Sequence, residues 1–209
     1  MNCTQAQREL DVIYIVDDDP VVRDALSSLL RANGKTVQIF SSGDQFLEFQ
    51  RNDSAACLVL DIKMPGANGL DVQTIVTSRE SIPIIFLTGR ADVPSTIRAM
   101  KSGAFDFLTK PVDEKVLLTA VENALEKDRN TRRHAAEQLD LLNRYRLLTP
   151  RERQVLALLV EGNLNKHVAA ALGITEYTVQ IHRGNIMRKM QAESFAALVG
   201  MAGRLDIPT

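Results

Sequence analysis

The sequence predicts an α/β doubly wound, five-stranded parallel sheet joined by a helical linker to an all-α, four-helix domain built around a helix-turn-helix. Three observations carry this reading. Over residues 10–127, five short apolar runs alternate with helical patterns across short connections, as in a parallel sheet covered on both faces. From Glu126 to Leu142 no Pro or Gly interrupts a polar helical stretch. Beyond Thr149 apolar residues recur only at helical spacing, and a Gly-containing turn precedes the third of four short helices.

The first strand is Val12-Ile13-Tyr14-Ile15-Val16, an apolar, β-branched run ending in Asp17-Asp18-Asp19-Pro20. Pro20 suits a first helical turn, with Asp19 as the cap. The helix carries Val22, Ala25, Leu26, Leu29 and Leu30 and stops at Asn33-Gly34. Thr36 to Phe40 forms a strand and Ser42 to Gln50 a short helix. Cys57-Leu58-Val59-Leu60 is a buried strand ending on Asp61, and a turn at Met64-Pro65-Gly66 leads into a helix over 68–78. Pro83 to Leu87 is the fourth strand, closing on Thr88-Gly89. The next helix is expected to turn Ile97 and Met100 inward. Phe105 to Leu108 is the fifth strand, closing on Thr109-Lys110-Pro111, and the fifth helix presents Val116, Leu117, Ala120, Val121, Ala124 and Leu125.

These elements divide the chain into a disordered tail (1–9), an α/β domain (10–127), a helical linker (128–145) and a helical domain (146–209). The linker keeps a sparse apolar stripe of Ala135, Leu139 and Leu142, which leaves open a contact between two chains or a solvated spacer. In the last domain Thr149 caps a helix with Pro150 first and Glu152 in the capping-box position. Val155, Leu156, Leu158 and Leu159 face inward. A helix from Asn165 to Leu172, one from Thr175 to Met190 and one opening at Glu193 or Ser194 follow.

Composition is that of an ordinary globular protein: 209 residues, 45% apolar and 24% charged. No apolar run reaches the roughly 20 residues of a membrane span. The charged amino-terminal stretch lacks the apolar centre of a signal peptide. Two cysteines make no disulfide framework, and a cytoplasmic location is expected. The net charge of −1 conceals an asymmetry: residues 1–127 carry −5, 128–143 are neutral and 144–209 carry +4. A basic rear domain fits nucleic acid, although the excess alone is modest.

In the strand order 2-1-3-4-5, strands 1 and 3 are neighbours, and ligands bind at the carboxyl edge of such sheets. Asp17, Asp18 and Asp61 then crowd one cleft. Carboxylates so close repel unless a hard cation neutralises them, and oxygen-only ligands suit Mg²⁺ or Mn²⁺. Thr88 adds a hydroxyl donor and Lys110 a compact positive charge. Such a set is what phosphoryl transfer onto a carboxylate requires.

VDDDP, LDIKMPG, LTG and FLTKP at these spacings resemble the flavodoxin-like receiver domain of bacterial two-component response regulators, over about residues 10–127. The resemblance implies that Asp61 accepts a phosphoryl group from a sensor histidine kinase. It implies an Mg²⁺ site of Asp17, Asp18, Asp61 and Lys63, with Asp18 the direct ligand, Asp17 a ligand through water and Lys63 contributing its backbone carbonyl. Thr88 follows the phosphoryl group and Lys110 pairs with it. The same resemblance puts Phe107 at the switch-aromatic position and implies a cis bond before Pro111. Slow self-dephosphorylation, rather than enzymatic turnover, is expected.

The helix from Thr175 to Met190 buries Val179, Ile186 and Met190 and leaves Tyr177, Gln180, Ile181, Gly184 and Arg188 on the opposite face. Amide, apolar and cationic groups together suit base edges in a major groove. LTPRERQVLALLVEG, NKHVAAALGI and TVQIHRGNIMRKM resemble the LuxR-type helix-turn-helix, and the whole chain resembles the NarL/FixJ class, nearest to its FixJ- and NodW-like members. DNA contacts are expected from Lys166, Thr178, Gln180, Ile181, Arg183, Gly184, Asn185, Arg188 and Lys189. Lys166, Arg183, Asn185 and Lys189 are assigned to phosphates. Gly184 departs from the larger residue common there. The implied partners are the kinase, double-stranded promoter DNA and RNA polymerase, with a homodimer formed on phosphorylation. The rival readings are a stand-alone aspartyl-phosphate phosphatase, which would want a general acid where Lys63 stands, and a receiver joined to a protein-docking adaptor.

Overall fold

The computed structural model describes residues 11–79, 81–89 and 93–205. The tail expected over 1–9, with Cys3, lies outside them. The chain divides into two compact units, 1–132 and 133–209.

In the first unit, β1 (Val12–Val16), β2 (Thr36–Phe40), β3 (Ala56–Leu60), β4 (Ile84–Thr88) and β5 (Asp106–Thr109) form one parallel sheet in the order β2-β1-β3-β4-β5. Side chains alternate across a strand, so each central strand feeds two cores. Tyr14, Leu58, Leu60, Ile84 and Phe86 point to the face covered by α2 (Gly43–Glu48), α3 (Gly69–Arg79) and α4 (Val93–Lys101). Ile13, Ile15, Cys57, Val59, Ile85 and Leu87 point to the face covered by α1 (Pro20–Ala32) and α5 (Glu114–Arg146). β1, β3 and β4 are buried throughout, which is why they read as continuous apolar runs.

Two expectations fail on the helices flanking β5. Ile97 and Met100 are not inward; they are 47% and 46% exposed, and among the described residues Ala99 is the buried α4 side chain in the core. Val116 is likewise 49% exposed, while Leu117, Ala120, Val121, Ala124 and Leu125 are buried as expected. Ala99 meets the core with a single methyl group, while Ile97 and Met100 lie half exposed.

The segment expected as a linker forms the later turns of α5. Asp128 is buried and accepts the Ala56 N–H at 2.9 Å, while its other bond, at 2.7 Å, is to Arg132 Nε. Of the expected stripe, Ala135 and Leu139 are exposed and Leu142 is half-buried; the buried apolar residue is Leu141.

In the second unit, α6 (Pro150–Val160), α7 (Asn165–Leu172), α8 (Glu176–Met190) and α9 (Phe195–Arg204) enclose Val155, Leu156, Leu159, Val168, Val179, Ile186, Met190 and Leu198. Leu158, expected inward, is half-buried at the edge of this core. Thr149 and Glu152 form a complete capping box on α6. Gly173, at φ 65°, ends α7 in the left-handed region, and Thr175 caps α8 two residues later.

Candidate functional site

Register builds the acidic cluster. Val16 pairs with Leu60 across β1 and β3, and the Asp61 N–H donates to the Val16 carbonyl at 2.9 Å, so Asp17 and Asp61 leave the sheet side by side. Asp17 and Asp61 are buried and Asp18 is exposed; carboxylate oxygens of all three lie within 4.8 Å of one another. One Asp17 oxygen accepts the Asp19 N–H at 3.0 Å and the other meets Lys110 Nζ at 2.5 Å. Lys110 Nζ is also 3.8 Å from Asp61 Oδ1, a buried atom with no hydrogen-bond donor among the described residues. Asp19 accepts the Val21 N–H and caps α1, apart from the cluster.

Burial pushes the Asp61 carboxyl above its ordinary range. The Lys110 ammonium opposes that push, Asp17 adds to it, the Ile62 N–H opposes it and Asp18 adds to it. Three clustered carboxylates, one of them with an orphaned buried oxygen, fit a hard divalent cation with oxygen ligands.

Around the cluster, Thr88 is buried at the end of β4, its carbonyl accepting the Lys110 N–H at 2.8 Å. The Lys110–Pro111 bond is cis. Phe107 is half-buried against the Phe86 side of the sheet, ring centroids 6.3 Å apart. Lys63 is exposed on the loop after Asp61 and lines, with Asp18, Asn68 and Arg98, an open cavity of about 630 Å³.

Two contributors escaped the sequence reading. Gly69 donates its N–H to the Ile62 carbonyl at 2.9 Å, and a Cβ there would stand 2.3 Å from the Asp61 carbonyl oxygen, so only glycine lets α3 begin this close to Asp61. The helix expected over 68–78 gives its start but not this contact. Arg23 donates to the Asp17 carbonyl at 2.6 Å, a link across six residues that no motif marks.

On α8, Val179, Ile186 and Met190 are fully buried, and Tyr177, Gln180, Ile181, Gly184 and Arg188 are all exposed. Other expected contacts have partners within the protein. Thr178 is half-buried and its hydroxyl meets that of Thr175 at 2.9 Å. Arg183 stacks over Phe195, 4.3 Å from the ring centroid. Asn185 accepts from Arg188 at 3.1 Å. Lys189 reaches the buried Glu152 at 2.7 Å. Burial alone would raise the Glu152 carboxyl, but bonds from Lys189 and from the Thr149 N–H and hydroxyl outweigh it and hold the group below its ordinary range. Lys166 is exposed on α7.

A parallel α/β domain with a carboxylate cluster at its switch point, followed by a helix-turn-helix, defines a DNA-binding regulator controlled from its first domain. Residues 13–122 match the response regulator receiver domain, and residues 146–202 match the bacterial regulatory proteins of the luxR family. The chain belongs to the response regulators of the NarL/FixJ type. It is 44% identical over 197 residues to nodulation protein W of Bradyrhizobium diazoefficiens, covering 94% of this chain and 87% of that protein. It is 46% identical over 195 residues to the response regulator TodT of Pseudomonas putida, covering 93% and 86%. Among solved structures, the response regulator StyR aligns with a TM-score of 0.86 at 42% identity, over 93% of this chain and 99% of that one. Full-length FixJ from B. japonicum aligns with a TM-score of 0.57 at 37% identity, over 95% and 98%. No helix among the described residues is long and apolar enough to cross a membrane.

Proposed function

We propose that Asp61 is the phosphoacceptor and that its phosphorylation by a sensor histidine kinase controls promoter binding by the helical unit. The observation that carries this reading is the orphaned Asp61 oxygen beside Asp17, Asp18 and Lys110. An oxygen left without a donor is available as a nucleophile. Asp61 attacks phosphorus in line, the phosphorus–nitrogen bond to the kinase histidine breaks, and the imidazole leaves with the electron pair.

Mg²⁺ (or Mn²⁺), when bound, supplies the positive charge that a phosphoryl anion needs to approach three carboxylates. Asp18, Asp61 and the Lys63 carbonyl would hold it, with Asp17 joined through water because both its oxygens already have protein partners. Lys110 transfers its ammonium from Asp17 to a phosphoryl oxygen, and the Thr88 hydroxyl donates to another. Slow hydrolysis by water resets Asp61. Lys63, two residues on, stands where turnover of outside phosphoesters would want an aspartate as general acid.

Movement of Thr88 and Phe107 alters the α4–β5–α5 surface, where Ile97, Met100 and Val116 lie exposed, and a homodimer forms there. Two paired units then occupy two half-sites of double-stranded DNA in the cytoplasm and engage RNA polymerase. Tyr177, Gln180, Ile181 and Arg188 read bases, while Lys166 serves phosphates. Lys189 and Arg183, held by Glu152 and Phe195, support α8 from within. The test is selection of binding sites from random DNA by wild type and Asp61→Ala, with and without a small phosphodonor and Mg²⁺, alongside intact mass. A phosphoryl adduct and tighter selection in wild type alone are expected; equal adducts or equal selection would overturn the reading.

A further inference from the structure

The last turns of α5 do more within the second unit than lead into it. Leu141 is buried in its core, and Tyr145 packs against that core with Arg153 stacked 5.2 Å from its ring centroid. Gln138 Nε2 donates to the carbonyl of Arg204, the last residue of α9, at 2.7 Å. Arg144 Nη1 donates to the carbonyl of Met190, the last residue of α8, at 3.4 Å, while Arg144 Nη2 is held 2.5 Å from Asp140. The final carbonyls of a helix have no partner within it and carry the negative end of its dipole, so a cation placed there stabilises it in its place.

We infer that Arg144, held by Asp140, is a positioning residue for the recognition helix α8, and that the functional DNA-binding unit includes α5 from about Gln138 onward. Arg144 touches the buried C-terminal end of α8, opposite in the chain to Tyr177, Gln180 and Ile181, so it sets their angle of presentation without contacting nucleic acid. The inference rests on the reading of α8 as the DNA-contacting helix.

The test uses the full-length protein and a labelled duplex enriched by wild type from random sequence. Arg144→Met, Arg144→Lys and Asp140→Asn are titrated across a range of salt, with thermal melting followed in parallel. Arg144→Met is expected to weaken binding about tenfold, Arg144→Lys to recover most of that loss, and Asp140→Asn to lose a smaller part while melting like wild type. The slope of log affinity against log salt should be the same for all, since no phosphate contact is removed. A slope shallower by about 0.9 in Arg144→Met would make Arg144 a phosphate contact and overturn the inference. Unchanged affinity in both Arg144→Met and Asp140→Asn would overturn it too. Arg144→Met that melts below the assay temperature shifts the decision to Asp140→Asn, whose affinity must then fall. Failure of wild type itself to bind duplex DNA would refute the α8 reading instead.

Discussion

Lys110 Nζ stands 2.5 Å from Asp17 and 3.8 Å from Asp61, so in the resting protein this one ammonium is committed to Asp17 and only leans toward Asp61. Removing it leaves a carboxylate that is 2% exposed without its cation. Truncating one partner of a buried pair typically costs about 3–5 kcal/mol. Lys110→Met is therefore expected to lower the unfolding free energy of the α/β unit by roughly this much, checked by urea denaturation with m unchanged.

Asp61 has the opposite sign. Its folded pKa lies above the ordinary 3.8, so between those values the native state binds more protons than the unfolded chain. Stability therefore falls as pH rises through the folded value, and at neutral pH the buried charge remains as a penalty. Asp61→Asn removes that charge and is expected to raise the melting temperature of the metal-free protein at neutral pH. Mg²⁺ should stabilise wild type by about 2.7 kcal/mol at a hundredfold excess over its Kd, and Asp61→Asn far less. Melting with and without Mg²⁺ decides it, and equal shifts in both proteins would count against Asp61 as a ligand.

Glu152 links acid sensitivity to the seating of the recognition helix. Its carboxyl is held below the ordinary 4.5, so its contribution is fully present above 4.5 and is lost as pH falls through the lower folded value. Glu152→Gln removes the charge opposite Lys189 and is expected to lower stability at neutral pH while flattening the acid limb below pH 4.5. Helical circular dichroism against pH checks this. A parallel, merely displaced curve would mean that another carboxylate governs the limb.

Ile97, Met100 and Val116 test the proposed dimer. They are about half exposed on α4 and α5. Ile97→Glu is expected to leave folding intact, since a surface change away from packed groups is usually within about 0.5 kcal/mol, yet to abolish phosphodonor-induced dimerisation. Sedimentation with and without the phosphodonor reads the outcome. Undiminished dimers would place the interface elsewhere.

The sheet order and the strand-end acids were legible because fully buried parallel strands read as unbroken apolar runs, each ending where the polar site begins. Asp17, Asp61 and Thr88 could be placed in one cleft from that pattern and the strand order, while Lys110, which follows the half-buried β5, rests on the strand order. What escaped depends on contacts distant in sequence: Ala99 rather than Ile97 packing inward, Asp128 accepting from Ala56, and Lys189 bonded to Glu152. A lysine on a recognition helix reads as a phosphate contact until the facing helix is known to present a buried carboxylate. The close approach of Gly69 to the Asp61 carbonyl was hidden for the same reason, since glycine at a helix start looks like a turn residue.

Gly184 separates a structural need from a reading role. It lies exposed in the middle of α8, and a Cβ added there meets nothing within 4 Å in the protein. Packing therefore does not require glycine, and its presence lowers helix propensity by about 1 kcal/mol relative to alanine. Gly184→Ala should then stabilise the helical unit by about 0.5–1 kcal/mol and leave DNA affinity within twofold, because Gln180, Ile181 and Arg188 keep their places around it. Close approach of the DNA backbone at this point would reverse the second outcome. One methyl group would then clash, and affinity would fall at least tenfold despite the stiffer helix. Binding titrations beside thermal melting separate the two: higher stability with retained affinity marks Gly184 as a gap in the reading face, and higher stability with lost affinity marks it as a point of contact.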